Sequence, residues 1–413
     1  MDWEVFSLAW PSLLSEISTP LLGAVDTLVV GHLADVADLG GVALATAVFN
    51  PLLFVFNFLR MGTSGVTAKA FGADDAREIL ATLIRSAIIG LGIGVCLFLL
   101  QRPIVFLGFG FVHPPDVVTM DRALTYFHAR ILGVPAALAN FATCAWLNAV
   151  KHPKNLLAVT MVLNVSNAIL CIVLAWVFDL GVAGVGYATA VANYIGLAFA
   201  ISRICVIYPQ LQCVIDAPAD EKAIRWAVIL DRTKMWELLA VQGNVFLRSL
   251  FLMYITTDFN AYSAALGSVP LAANNLLMQL QMLISYGADG FANAAEALVG
   301  KATGMGKVDL VREVVASLVR WSIVVVAVFT AAFMLVGREI LECLTSHSRI
   351  VSYAVDYLPW QYAAPAASVS AYILDGIFVG ANCFRDMRDA NFLGMLAFVA
   401  LLCCLSRSSF SLW

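Results

Sequence analysis

The sequence predicts an all-α polytopic membrane protein made of two parallel six-helix repeats, with about eleven membrane helices present. Three observations predict it. First, 61% of the 413 residues are hydrophobic and 13% are charged, against roughly 25% charged in an average soluble domain. Second, the apolar residues fall in runs long enough to span a bilayer. Third, the two halves of the chain resemble each other. A globule of this size could not cover its surface with so few charges, and the mean hydropathy of +0.88 points the same way. A soluble enzyme, a nucleic-acid binder and a disordered scaffold are excluded. The net charge of −4 gives no basic field for nucleic acid.

A spanning helix needs roughly 20 apolar residues. By that measure the spans are 8–32, 42–70, 79–108, 120–149, 155–178, 182–207, 236–257, 268–299, 311–336, 351–382 and 390–406. Barrel strands would be short and alternating, and these runs are neither. Pro11, Pro20, Pro51, Pro135, Pro359 and Pro365 interrupt several of them. A proline in lipid frees a carbonyl that something must satisfy, so broken helices tend to line cavities. The acidic start, Met1-Asp2-Trp3-Glu4, and the length of the first run speak against a cleavable signal peptide. The nine cysteines sit mostly in apolar runs without a C-x-x-C pair and read as small core- or lipid-facing side chains.

Lys and Arg set the orientation. With the N-terminus cytoplasmic, fifteen of the 24 lie on the cytoplasmic side and five on the other. Arg60, Arg130, Arg248 and Arg320 fall within spans. The expected divisions are an N-lobe over 1–207 with six helices, a cytoplasmic connection over 208–235, and a C-lobe over 236–413 with five. Ile224, Trp226, Val228 and Ile229 suggest a short amphipathic segment in the connection.

The repeat rests on three matches. Leu39-Gly40-Gly41-Val42-Ala43-Leu44-Ala45 answers to Leu266-Gly267-Ser268-Val269-Pro270-Leu271-Ala272. Gly72 answers to Gly300, and Pro135-Ala136-Ala137 to Pro365-Ala366-Ala367. Their separations are 227, 228 and 230 residues, in order. Six helices in the first unit return the chain to its starting side, so both units enter the membrane in the same sense. The sixth helix begins near Gly181, and its counterpart would begin near 409. The chain is therefore read as truncated or frameshifted before a twelfth helix.

An ionisable residue inside a span is costly and is a functional hypothesis by default. Asp26 stands in the run from Leu21 to Val30 with no basic residue near it in sequence. It reads as a site that binds and releases a proton, against the plainer reading of a protonated structural acid. Its neutral partners are sought among Asn140, Asn164, Asn167, Thr189 and Asn193. Asn164, Asn167 and Cys171 can share one helix face. The second half carries Asn244, Arg248, Asn274, Asn275, Gln279, Gln281, Asp289, Glu296 and Asp375. Arg248 needs a carboxylate, and Asp289 and Asp375 are the candidates, either as a functional group or as a structural ion pair. No phosphate-binding loop, zinc-protease or serine-hydrolase motif stands in the chain, and no enzyme activity is expected.

At these residues the chain resembles the multidrug and toxic compound extrusion (MATE) family, in its DinF-like branch. The resemblance lies in Val25-Asp26-Thr27-Leu28-Val29-Val30-Gly31-His32 and in Phe58-Leu59-Arg60-Met61-Gly62-Thr63-Ser64-Gly65. It continues in Asp289-Gly290-Phe291-Ala292-Asn293-Ala294-Ala295-Glu296-Ala297-Leu298-Val299-Gly300 and in Asp375-Gly376-Ile377-Phe378-Val379-Gly380. It implies a twelve-helix antiporter with two six-helix lobes, exporting hydrophobic, often cationic compounds against H+ or Na+. The family's N-lobe cation site falls on Asp26, Asn140, Asn167 and Thr189. Arg248, Asn275, Gln279, Asp289, Glu296 and Asp375 are the polar candidates of the second lobe. One position departs: the family's Asn-x-x-Leu-Asp reads Asn167-Ala168-Ile169-Leu170-Cys171 here. That leaves Asp26 as the one acid of the N-lobe spans, which suits H+ ahead of Na+.

No cofactor beyond the coupling ion is expected. The expected surroundings are a bacterial inner membrane, with the chain a monomer that handles small apolar or cationic substrates. Two other readings stay open: a lipid-linked oligosaccharide flippase, which should grip pyrophosphate with several cavity cations, and a remnant that transports nothing.

Overall fold

The computed structural model describes residues 1–31, 36–111, 116–209, 226, 229–345 and 347–407. The side chains of 19–22, 24–27, 36, 111 and 404–407 are outside the description. Every described element is helical. In chain order they are α1 (Asp2–Gly31), α2 (Val36–Val55), α3 (Phe58–Gly72), α4 (Ala76–Leu99) and α5 (Gln101–Phe111). Then follow α6 (Val117–Ile131), α7 (Val134–Ala149), α8 (Pro153–Ile172), a π turn (Val173–Val177) and α9 (Gly181–Ile207). The remainder are α10 (Arg232–Ala265), α11 (Ser268–Gly304), α12 (Val308–Leu344), α13 (Ser348–Asp356), α14 (Leu358–Gly380) and α15 (Phe384–Arg407).

Among the described residues, seven helices are long and apolar enough to cross a membrane. The pair α6 and α7, bent by 51°, makes an eighth if taken as one span. Eleven spans were expected. The difference has two physical sources. Part of α1 lies outside the described residues, and α11 carries Asn274, Asn275, Gln279, Gln281, Asp289 and Glu296 along its length. The prolines act unequally. Pro135 sits in the first turn of α7, where its missing N–H is harmless, and the chain bends just before it. Pro359 likewise opens α14, so the run over 351–382 is two helices. Pro51 and Pro365 stay inside continuous helices. The amphipathic segment expected near 224–229 falls largely outside the described residues.

The chain forms two compact units, Leu14–Gln242 and Met1–Leu13 with Gly243–Trp413. In the first unit, Trp146 of α7 is fully buried and donates its indole N–H to the carbonyl of Ile79 at 2.9 Å. Around it pack Leu80, Leu83, Leu147, Val159 and Ile204. Arg85 of α4 is also buried. It donates to the carbonyl of Ile229 at 2.5 Å and pairs with Glu78 at 2.8 Å, which ties the start of α10 to α4. Asp231 caps α10 by accepting from the backbone N–H of Thr233 and of Lys234. Those N–H groups hold its carboxyl below the usual range.

In the second unit, Val5, Leu8 and Ala9 of α1 join Ala288, Phe291, Ala295, Val314 and Leu318 in one core. Asp2 accepts from Ser317 and pairs with Arg320 at 2.7 Å, both groups being half exposed. Arg320, read from sequence as lying within a span, is thus held at an exposed surface. Against α11, α14 presents Gly376 and Gly380, a Gly-x-x-x-Gly spacing that lets backbones touch. A Cβ on Gly380 would stand 2.9 Å from the carbonyl oxygen of Glu296, and one on Gly376 would overlap that of Ala292. Gly376→Ala should therefore lower stability by about 1–3 kcal/mol through overpacking. Gly243→Ala, where a Cβ meets nothing within 4 Å, should be neutral or slightly stabilising. Thermal unfolding of both variants in detergent checks this, and equal midpoints would refute it.

Candidate functional site

In the first unit, α1 is stitched to α8 by side-chain hydrogen bonds. Ser15 and Thr160 hydroxyls meet at 2.7 Å. The Asn164 amide donates to the carbonyl of Ser18 at 3.1 Å and to its hydroxyl at 2.9 Å. These pairs are 145 and 146 residues apart. Both helices rise about 1.5 Å per residue. Carried along them, that register brings position 26 level with Cys171. The side chain of Asp26 lies outside the described residues.

The other three expected residues of this site come together. Asn140 of α7 donates to the carbonyl of Asn193 at 2.9 Å. Asn167 of α8 donates to the hydroxyl of Thr189 on α9 at 3.0 Å. Asn193 donates to the carbonyl of Thr189 at 2.8 Å. The Cys171 thiol donates to Oδ1 of Asn167 at 3.3 Å. All but Asn193 are buried, and Oδ1 of Asn140 has no partner among the described residues. Asn164 turns away to α1, so the expected shared face divides its work: Asn167 serves α9 and Asn164 serves α1.

Glu16 corrects one expectation. It lies in the first span, is part-buried, and stands 3.9 Å from Arg60 of α3, so Asp26 is not the one acid there. Asn57 accepts from Nε of the same Arg60 at 3.2 Å. The signal was in the sequence, as a carboxylate in an apolar run with an arginine in the next span.

In the second unit Arg248 of α10 pairs with Asp375 of α14, both largely buried. Of the two candidate partners, Asp375 holds the guanidinium. Asp289 accepts from Ser285 at 3.3 Å. Tyr372, three residues before Asp375 and unremarked in the sequence, shares hydrogen bonds with Ser285 and Gln281 and lies near both acids. Glu296 is buried further along α11. Asn275 and Gln279 are exposed, whereas their neighbours Asn274 and Gln281 line a cavity with Tyr262 and Tyr357. Asn244 accepts from Arg388 of α15 at 2.7 Å.

The remaining span arginine, Arg130, lies over the ring of Phe49 at 4.9 Å and donates to the Tyr126 hydroxyl at 3.2 Å.

Comparison with known proteins accords with this architecture. The MatE family model matches residues 11–173 and 245–405, one stretch in each half, as the internal repeat requires. DNA damage-inducible protein F of Escherichia coli K12 is 33% identical over 97% of this chain and 85% of its own length. A probable multidrug resistance protein NorM of Acinetobacter baylyi is 27% identical over 49% of this chain and 45% of its own. Among solved structures, an outward-facing multidrug resistance MATE family transporter of the MOP superfamily superposes with a TM-score of 0.75. It is 17% identical and aligned over 98% of this chain and 97% of that one. The Vibrio cholerae MATE transporter VcmN in its bent form gives 0.72 at 16% identity, covering 97% of each. The double match and the full-length relative lead to one conclusion: this chain is a multi-pass membrane protein that belongs to the MatE family of transporters.

Proposed function

We propose that the protein is an ion-coupled antiporter that exports hydrophobic or cationic compounds by alternating access, with H+ ahead of Na+ as the coupling ion. The observation that carries this reading is the buried polar set Asn140, Asn167 and Thr189, joined across α7, α8 and α9 at the level of position 26. Neutral amides and a hydroxyl can solvate a carboxyl in either protonation state without fixing it as an ion pair, as a basic partner would. Cys171 adds a weak donor where a second carboxylate would supply oxygens for Na+. The names of the relatives, one induced by DNA damage and one tied to multidrug resistance, are in keeping with export of toxic compounds. The 15-to-5 charge bias supports a cytoplasmic N-terminus in a bacterial inner membrane, and we take the working unit to be a monomer.

The flippase reading is weakened by the four span arginines. Arg60 faces Glu16 and Asn57, Arg130 faces Phe49 and Tyr126, Arg248 faces Asp375 and Arg320 faces Asp2. Each is engaged within its own unit instead of standing ready for pyrophosphate.

Reconstitution into proteoliposomes tests the proposal, with H+ and Na+ gradients imposed separately. Efflux of a lipophilic cation driven by the pH gradient and not by Na+ is the expected result. Cys171→Asp should add Na+-driven efflux, because it places a second carboxylate beside Asn167, while Cys171→Asn should not. If neither gradient drives efflux from correctly folded protein, the antiport reading fails.

A further inference from the structure

The second unit contains a cavity of about 660 Å³ between the end of α10, the first turns of α11, α13 and the start of α14. It is unrelated to the polar set on α7, α8 and α9. Five aromatic side chains line it: Phe259, Tyr262, Tyr353, Tyr357 and Trp360. The rings of Tyr353 and Tyr357 stand 5.3 Å apart, and their hydroxyls share a hydrogen bond. Leu266, Leu277 and Met278 fill the wall between them. No Asp, Glu, Lys, Arg or His is among the lining residues.

The polar groups of the wall are few and unequally satisfied. Asn274 donates to the Ser263 hydroxyl at 3.0 Å, and Gln281 donates to the Ser368 hydroxyl at 2.7 Å. Oε1 of Gln361 is buried and has no hydrogen-bond partner among the described residues. A buried amide oxygen without a donor costs about 1–3 kcal/mol, which a ligand N–H or O–H would relieve.

We propose that this cavity is a binding site for an uncharged, lipophilic aromatic molecule carrying a hydrogen-bond donor. Its volume is that of a pocket for a drug-sized compound, and its lining is the usual kind for one: mostly apolar and aromatic, with a few placed polar atoms. Aromatic rings select a flat partner by offset or edge-to-face packing. The absence of ionised lining groups selects against a full charge, because a buried ion without a counter-ion is expensive. The Gln361 oxygen orients the ligand. Gln281 extends the site inward: it shares a hydrogen bond with Tyr372, which meets Ser285, and Ser285 donates to Asp289. Occupancy is thereby within three hydrogen bonds of the acids of α11 and α14.

The site goes beyond the antiport reading and is testable without any ion gradient. The probe is 4-benzoylbenzamide, a neutral diaryl ketone with an amide donor that cross-links on illumination. It is used on the full chain in nanodiscs, with labelled peptides identified by mass spectrometry. The expected result is saturable labelling within residues 259–281 or 353–361. Leu277→Trp, which fills the cavity, should reduce labelling at least ten-fold. Gln361→Leu, close in shape, should weaken binding about three- to ten-fold through the lost hydrogen bond. The anion 4-benzoylbenzoate should bind at least ten-fold more weakly. Thermal unfolding of each variant confirms that it is folded. Labelling that does not saturate, that spreads over lipid-facing helices, or that the folded Gln361→Leu variant and the anion both leave unchanged overturns the proposal. A phospholipid found held at these residues by native mass spectrometry would do the same. Failure of gradient-driven transport with this binding intact would count against antiport alone.

Discussion

Arg248→Ala should destabilise the second unit by about 3–5 kcal/mol, the cost of leaving one partner of a buried ion pair behind. The guanidinium and the Asp375 carboxylate are 13% and 18% exposed, so water screens them little. Removing Arg248 strands Asp375 between α10 and α14, and the chain must then protonate it or move it towards water. The double variant Arg248→Met with Asp375→Leu strands nothing. Replacing both charges with apolar side chains of similar size is often neutral or stabilising. The expected order of thermal midpoints in detergent is therefore wild type and double variant together, with Arg248→Ala well below. This experiment also separates structure from transport. We expect the double variant to keep gradient-driven efflux, since the coupling proton is assigned to Asp26. A double variant that is stable but inactive would place the pair on the coupling path. Asp375→Asn then becomes the informative change, because it keeps the shape and loses the charge.

How much of this was legible in the sequence depends on what each inference required. Counting charge and apolar runs required no tertiary structure, so the membrane class and most helices were plain. The repeat was legible because spacing along the chain survives divergence, and the family model falls on both halves. Asn167 and Thr189 were legible as polar positions in apolar runs, and they meet at 3.0 Å. Choosing between neighbours was not. Asn274 and Asn275 differ by one residue, or about 100° around a helix, and α11 carries polar side chains on both sides of that angle. One faces a cavity and the other is exposed. The partner of Arg248 needed the rotation of α14 against α10, which no local pattern encodes. That the opening of α1 packs with α11 and α12, far away in sequence, was equally hidden. Glu16 is a different case. It met the rule that singled out Asp26, and its ion pair with Arg60 was available to the same reading.

Asp26→Asn should abolish proton-driven efflux, by at least about ten-fold, while leaving the fold intact. The motivation is positional. The Ser15–Thr160 and Ser18–Asn164 contacts set the register of α1 on α8, and that register brings position 26 level with Cys171, one turn beyond Asn167. Around that level the chain offers amides, a hydroxyl and a thiol, and among the described residues of α7, α8 and α9 there no base. Such a site can hold a carboxyl as acid or as anion, and the choice between them is what a gradient can drive. A proton shifts two conformations only through its different affinity for them, at about 1.4 kcal/mol per pKa unit of difference. A difference of about two units, near 2.7 kcal/mol, is enough to turn a ten-to-one population into one-to-ten. Asparagine has nearly the shape of the protonated acid and no proton to exchange, so it fixes the bias that protonation would have set. The stability of Asp26→Asn should equal or exceed that of wild type, since it removes an ionisable group from an apolar run. The measurement is efflux from proteoliposomes under an imposed pH gradient, beside thermal unfolding of the same preparation. A folded Asp26→Asn protein with wild-type efflux would make Asp26 structural. Glu16, Asp289, Glu296 and Asp375 would then be the remaining carboxylates to test, and Glu16 first, because it shares α1 and the first unit with the polar set.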